Sequence, residues 1–342
     1  SGRHQLPGAP CMPFFPRLQN AIYLIAACAV FTPASSTFAQ NFPTKAIRWV
    51  VVAPAGSSLD VIARSVQDKL KDTLGQPVVI ENRPQAGGTV GSNEVAKSAP
   101  DGHTWLLGFN GPVAFAPFLY SKLPYNPLKD LAPVVLLTSQ PNVLAVNANL
   151  PVSTVGELVA LMKASPGKYN YASVGNGSSS HLTMEYFKAL TGTYAVHIPF
   201  NGGPPAALST ASGDTQILAT VPTLILPQVK AGRMKALAVT GSAPYSLTPE
   251  LSTVAQSGVK ELARFEAIAW NGVLVPAGTP RAAIERINSA INAAMQDPAV
   301  QQRLKTAGLD AVGGTPEAFG KLIADEAAKW EPIIQRSGAK LD

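Results

Sequence analysis

Residues 47–75 read IRWVVVAPAGSSLDVIARSVQDKLKDTLG. Ile47–Val52 is a nearly continuous apolar run rich in β-branched residues, the pattern of a strand covered on both faces. A turn of small residues, Ala53–Ser58, follows. Leu59, Ile62, Ala63, Val66, Leu70 and Leu74 then recur at helical spacing until Gly75, which is placed to stop the helix. The same strand–turn–helix grammar continues on both sides of this segment. Val78–Ile80 reads as a second strand, the Gly87–Gly91 loop leads into a short helix ending near Lys97, and Trp105–Gly108 is a third strand. Farther on, Thr154 and Glu157 have capping-box spacing for a helix to Ala164, Tyr169–Val174 reads as a strand and Ser180–Leu190 as a helix. Thr279-Pro280 and Thr315-Pro316 each put a capping residue before a proline at the first helical position. Ile284, Ile287, Ile291 and Ala294 form one apolar stripe, read as core. The alternation predicts an α/β protein built on parallel sheet wrapped by helices.

Of 342 residues, the first 39 are read as lying outside this fold. Met12 to Ala39 has a basic Arg17, an apolar Ala21–Phe31 and a small-residue run, the order of a secretory signal with cleavage after Ala39. Residues 1–11 read as vector-derived or mis-started sequence. Ile25-Ala26-Ala27-Cys28 also resembles a lipoprotein box, so an anchor at Cys28 is the second choice. The remaining 303 residues carry 25 basic and 21 acidic groups, a net +4. That mild excess suits small anions, and no Lys/Arg run resembles a nucleic-acid or lipid footprint. With 46% apolar and 14% charged residues the chain is not a disordered one, and no later apolar stretch reaches the ~20 residues of a membrane helix. Cys11 and Cys28, the two cysteines, both precede the expected cleavage point, which excludes thiolate, disulfide and cysteine–metal chemistry afterwards.

A length near 300 residues predicts two domains. The long extended segments Ala132–Asn147 and Phe265–Pro276 read as crossings between them. One lobe would then comprise residues 42–139 and 267–342, the other 140–266, with a ligand cleft between.

Three turns could carry chemistry: Ala53–Ser58, Gly87–Gly91 and Ser173–Ser180. Each starts a helix, where unpaired amides favour an anion and small residues let it approach. A nucleotide site is disfavoured, because neither G-x-G-x-x-G nor G-x-x-x-x-G-K-[ST] occurs. Ser178–His181 lacks a G-x-S-x-G elbow, so His181 reads as a residue that caps or packs its own helix. His103 and His197 have no metal-ligand spacing. Asp60, three residues after Ser57, reads as a stabiliser of its helix start.

Several short motifs, taken in order, resemble the tripartite tricarboxylate transporter substrate-binding proteins, the Bug family of periplasmic solute receptors. They include Phe42-Pro43-Thr44-Lys45-Ala46-Ile47, Asp60-Val61-Ile62-Ala63-Arg64, Glu81-Asn82-Arg83-Pro84 with Gly87-Gly88, and Ala99-Pro100-Asp101-Gly102. Tyr171-Ala172-Ser173, Ser180-His181-Leu182, His197-Ile198-Pro199-Phe200, Ala231-Gly232-Arg233 and Pro276-Ala277-Gly278-Thr279-Pro280 continue the match. The resemblance covers residues 42–342. It implies a class II periplasmic binding protein, two α/β lobes joined by two crossing strands, that closes on a carboxylate and delivers it to membrane permease subunits. It implies no catalytic residue, cofactor or metal, and a monomer is expected.

Carried onto this chain, the family's carboxylate-holding loops are Ala55, Gly56, Ser57 and Ser58, then Ser173, Gly175, Asn176, Gly177, Ser178 and Ser179. Two departures bear on the ligand. The family commonly has a Gly-Gly pair where Gly56 is followed by Ser57, and it often has an acidic or amide residue where this chain reads Leu218–Thr223. Losing that acid favours a dicarboxylate or aromatic carboxylate, with Thr220 and Trp270 toward its distal end; Trp270 reads equally as a hinge or core aromatic. A periplasmic sensor module and a secreted serine hydrolase using Ser178 and His181 are the alternatives.

Overall fold

The computed structural model describes residues 42–341; the signal-sequence and Cys28 readings fall outside that range. In chain order the elements begin with β1 (Ile47–Val51), α1 (Ser58–Leu74), β2 (Val78–Asn82), α2 (Thr89–Ala96), β3 (Thr104–Phe109), α3 (Ala116–Leu119), α4 (Pro127–Asp130), β4 (Leu131–Pro141) and β5 (Val143–Asn147). They continue with α5 (Val155–Ala164), β6 (Asn170–Ser173), α6 (Ser179–Thr191), β7 (Val196–Pro199), α7 (Gly203–Ser212), β8 (Ile217–Thr220), α8 (Pro222–Lys230) and β9 (Met234–Val239). The chain ends with β10 (Ile268–Pro276), α9 (Arg281–Met295), α10 (Pro298–Thr306) and α11 (Pro316–Ser337).

Two five-stranded sheets result, ordered β2-β1-β3-β10-β4 and β7-β6-β8-β5-β9. The expectation of parallel sheet holds for the strand–turn–helix repeats and fails at the crossings. β1 pairs in parallel with β2 and β3, and β6 with β7 and β8, but β10 lies antiparallel to β3 and β4, and β5 antiparallel to β8 and β9. The reason is topological. A strand that enters a sheet straight from the other sheet, with no crossover helix, need not follow the direction of the βαβ units. The segment Ala132–Asn147 is accordingly two strands in different sheets, meeting at Asn142.

The apolar stripes face these sheets. Leu59, Ile62, Ala63, Val66, Leu70 and Leu74 of α1 are buried, as are Ile284, Ile287, Ile291 and Ala294 of α9. Each leucine, isoleucine or valine among them contributes about 1.5–3 kcal/mol when fully buried. Trp49 and Trp105 on paired strands meet edge to face, 5.6 Å between centroids. α11 reaches across to the second sheet's helix: its Trp330 packs on Phe115 (5.0 Å) and on Tyr186 of α6 (5.6 Å).

Helix starts follow the sequence signals with one exception. Ser57, Thr154, Ser178 and Thr315 cap α1, α5, α6 and α11 through their side chains, and the Thr154–Glu157 capping box is complete. At α9 the cap position belongs to Pro280, because the Thr279 hydroxyl instead donates to the Pro276 carbonyl at 2.7 Å, closing the turn after β10.

Candidate functional site

The glycine-rich turns of the two sheets meet. A Cβ on Gly87 would lie 3.4 Å from the Asn176 carbonyl oxygen, and one on Gly111, just after β3, would lie 3.0 Å from that of Gly177. Val52, directly after β1, approaches the β2–α2 turn: a Cβ on Gly88 would lie 3.0 Å from it. Gly177 itself packs toward Leu119 of α3 and Leu341 near the C-terminus. At Gly88 and Gly111 a side chain larger than hydrogen would press on the facing backbone.

The β2–α2 turn is strained. Ala86, Gly87 and Gly88 all have positive φ, and Ala86 is the one non-glycine to do so among the described residues. Its carbonyl holds the turn by accepting from the Thr89 hydroxyl (2.9 Å), the Thr89 amide and the Tyr120 hydroxyl (3.3 Å). Such strain costs of order 1–3 kcal/mol and persists where the surroundings over-determine it.

At the start of α1, Ala55 and Gly56 are exposed while Ser57 and Ser58 are half-buried. The Gly56 amide, read as an anion donor, is occupied: it donates to Asp60 Oδ2 at 2.9 Å. Asp60 also accepts from Arg64 Nε (2.9 Å) and Asn82 Nδ2 (3.1 Å). Burial opposes the charge, but these three donors outweigh it and hold the carboxyl below its usual pKa. Asp60 thus stabilises the helix start, through Gly56 rather than through Ser57. The Ser58 and Leu59 amides have no acceptor among the described residues.

At the start of α6, most of the serine hydroxyls are engaged internally. Ser178 Oγ donates to the Gly175 carbonyl (2.6 Å) and accepts from the His181 amide (3.2 Å). Ser173 Oγ lies 2.6 Å from His197 Nε2 and accepts from the Gly175 amide. Ser179 Oγ donates to the Ile268 carbonyl (3.4 Å) and accepts from Asn142 Nδ2 (3.0 Å). The Gly177 amide donates to His181 Nδ1 (3.2 Å). What remains toward a ligand is backbone: the amides of Asn176, Ser179 and Ser180 have no acceptor among the described residues. Ser180, within the Ser173–Ser180 turn but not among the residues assigned to the ligand, has the unpartnered hydroxyl, in a residue 2% exposed. The run of three serines concealed which faces inward, because only helical phase distinguishes them.

Thr220, at the end of β8, is buried beside Val143 in the sheet. Trp270 on β10 has no exposed surface and stands edge to face on Phe319 of α11, 5.4 Å away. The hydrolase alternative finds no Ser178–His181 pair, since Ser178 Oγ and His181 Nδ1 are both directed to backbone groups of their own turn. His103 likewise serves structure, its Nε2 accepting from the Thr44 amide at 3.1 Å. No group of three or more His, Cys, Asp or Glu capable of holding a metal occurs among the described residues.

The two crossing segments are tied together beside α6 through Thr240, just after β9. The Asn142 amide donates to Thr240 Oγ1 (2.8 Å), the Thr240 amide returns a bond to the Asn142 carbonyl (2.9 Å), and Thr240 Oγ1 donates to the Ala267 carbonyl (2.5 Å). The Asn142 side chain then reaches Ser179 and Thr183 of α6. The Ile268 carbonyl accepts from Asn110 at the end of β3 as well as from Ser179. Sequence reading recognised the crossings but not this knot, since nothing local in Gln140-Pro141-Asn142 announces its partners 98 residues away.

Two sheets joined by crossing strands, with helix-initiating glycine turns facing each other, define a two-lobed periplasmic solute-binding protein. The chain belongs to the tripartite tricarboxylate transporter receptor family, whose model matches residues 62–339. It is 36% identical to protein BugT of Bordetella pertussis over 318 residues, 93% of this chain and 96% of that protein. Its structure is similar to that of Rpa4515 of R. palustris with adipate, with a TM-score of 0.78 and 29% identity over 87% of this chain and 98% of the other. It is similar also to MatC of Rhodopseudomonas palustris with bound malate, with a TM-score of 0.77 and 30% identity over 86% and 100%. The family is one of receptors that bind solutes, not of enzymes.

Proposed function

We propose that this receptor captures a small carboxylate, a dicarboxylate or an aromatic carboxylate, and delivers it unchanged to the permease subunits of a tripartite transporter. The lobes are residues 42–139 with 267–342, and 140–266. The observation that carries the reading is the meeting of turns from both sheets, with unpaired amides at the starts of α1 and α6. Adipate and malate in structures of similar proteins support the ligand class.

Binding in this scheme needs no bond making. The ligand engages one lobe, and contacts made only in the closed form shift the population toward closure. Ala55–Ser58 and Ser173–Ser179 form the grip, mostly through backbone, and the protein acts as a monomer. Isothermal titration with malate, adipate, benzoate and a set of amino acids tests it. Binding of one of the three acids is expected; a preference for an amino acid over all of them overturns the proposal. Native mass spectrometry of freshly purified protein would identify a co-purified acid.

A further inference from the structure

The two turns of the grip share one design. Gly56-Ser57-Ser58-Leu59-Asp60 and Gly177-Ser178-Ser179-Ser180-His181 have glycine at positive φ, +80° and +71°. In each, a serine cap with near-identical dihedrals (φ −70, ψ 168; φ −74, ψ 162) accepts from the amide three residues on. In each, the glycine amide donates to the side chain four residues on. The acceptor differs: ionised Asp60 in the first turn, an imidazole nitrogen in the second.

Accepting at Nδ1 requires His181 to be neutral, with its proton on Nε2. Its setting favours that form. The residue is 4% exposed and its ring stacks on His197, 3.9 Å between centroids and 5° from parallel. His197 reaches Ser173 Oγ, so the stacked pair holds both ends of the Ser173–Gly177 turn. Around the pair stand Tyr171, stacked on His197 at 4.8 Å, Glu185, 4.0 Å from His181 Nε2, and Lys188, bonded to Glu185 at 2.7 Å.

We propose that His181 is a positioning residue that shapes the second ligand turn as a neutral acceptor, doing at α6 what Asp60 does at α1 without bringing a negative charge to the anion. A helix start carries about half a positive charge. Asp60 offsets it at α1, whereas the first turn of α6 has no acidic residue. One ligand carboxylate is therefore seated toward α6, and the remainder of the ligand toward α1. The inference rests on the anion-binding reading above.

Three variants separate geometry from charge. His181→Asn keeps an acceptor of the kind Asp60 supplies, His181→Phe keeps a ring but loses the acceptor, and His181→Asp keeps the acceptor and adds charge. Amide hydrogen exchange of residues 173–181, measured without ligand, should be faster in H181F and close to wild type in H181N and H181D. Affinity for malate and adipate should stay within about threefold of wild type in H181N and fall at least tenfold in H181F and H181D. Unchanged exchange in H181F overturns the positioning role whatever the ligand, and equal affinities of H181N and H181D overturn the charge argument. If H181F fails to fold, faster exchange at 173–181 in H181N and H181D, despite a retained acceptor, overturns the positioning role in its place. Wild-type protein that prefers an amino acid over malate, adipate and benzoate while the exchange pattern appears as expected refutes the anion reading and leaves the positioning role standing.

Discussion

Placing valine at Gly56 and, separately, at Gly177 tests whether backbone approach is what binds the ligand. Both glycines have positive φ, where a β-branched residue is a steric outlier costing about 1–2 kcal/mol. The surroundings differ. A Cβ at Gly56 meets nothing within 4 Å, so strain is the whole structural cost there. A Cβ at Gly177 comes to 3.0 Å from Leu341 Cδ1 and 3.2 Å from Leu119 Cδ1, ends of flexible side chains that yield at a repacking cost of about 1–3 kcal/mol. For a protein of this size each kilocalorie lowers Tm by about 2–4 °C. G56V should thus melt a few degrees below wild type and G177V by roughly twice as much, both remaining folded by circular dichroism. Ligand affinity should fall out of proportion, by more than tenfold in each variant, because the added methyls stand where the ligand meets the backbone. Titration calorimetry well below Tm reads this directly. Unchanged affinity in both variants refutes the proposed grip, and loss in G177V alone confines it to the second turn.

Three further outcomes follow from single features. Burial first, then Lys188, pushes His181 down to about 4, and burial with His181 beside it pushes His197 to about 3, against an ordinary value of 6.5. The unfolded chain therefore takes up protons that the folded one refuses, so stability is full above about pH 6.5 and falls toward pH 4 by up to about 1.4 kcal/mol per pH unit for each histidine. Denaturant midpoints between pH 7 and pH 4 should show this slope, flattened in H181F; a slope unaltered by that change assigns the acid sensitivity elsewhere. Asn142→Ala removes the donor to Ser179 and Thr183 and should destabilise by about 1–3 kcal/mol in urea unfolding, and a midpoint unchanged from wild type contradicts a taut crossing. Thr154→Ala, in the α5 capping box, should cost about 1 kcal/mol and leave ligand titrations unaltered.

What the sequence disclosed, and what it withheld, divides along the range of the interactions. Strand–turn–helix order, the α1 stripe and the Thr154 box were legible because they depend on neighbours within a turn or two. The glycine turns were legible for the same reason, as was Asp60 in its role as a helix stabiliser. The antiparallel sense of β5 and β10 was not, since strand direction at a crossing is set by partners far along the chain, as Val143 with Thr220 and Asn271 with Phe109. Nor was the engagement of the serine hydroxyls. Ser173, Ser178 and Ser179 look alike as donors, and only His197, Gly175 and Ile268 show that they are occupied. At Thr279 the local capping signal lost to a turn bond with Pro276, a competition between two acceptable local structures.

The same division explains how the binding turns are held. Short-range bonds shape each one: a serine cap, a glycine amide and an acceptor four residues on. Long-range bonds then aim it. Ser179 is fixed between Asn142 and the Ile268 carbonyl, at the point where the chain passes from one sheet to the other, and Ile268 also accepts from Asn110 of the first sheet. Under the closure proposed above, a rotation of one lobe against the other would act on the bonds that aim α6, which couples the orientation of its free amides to closure. On this arrangement a ligand seated at α6 does not need to touch the crossing strands to favour the closed form; it needs only to prefer the orientation of Ser179 and Ser180 that closure provides.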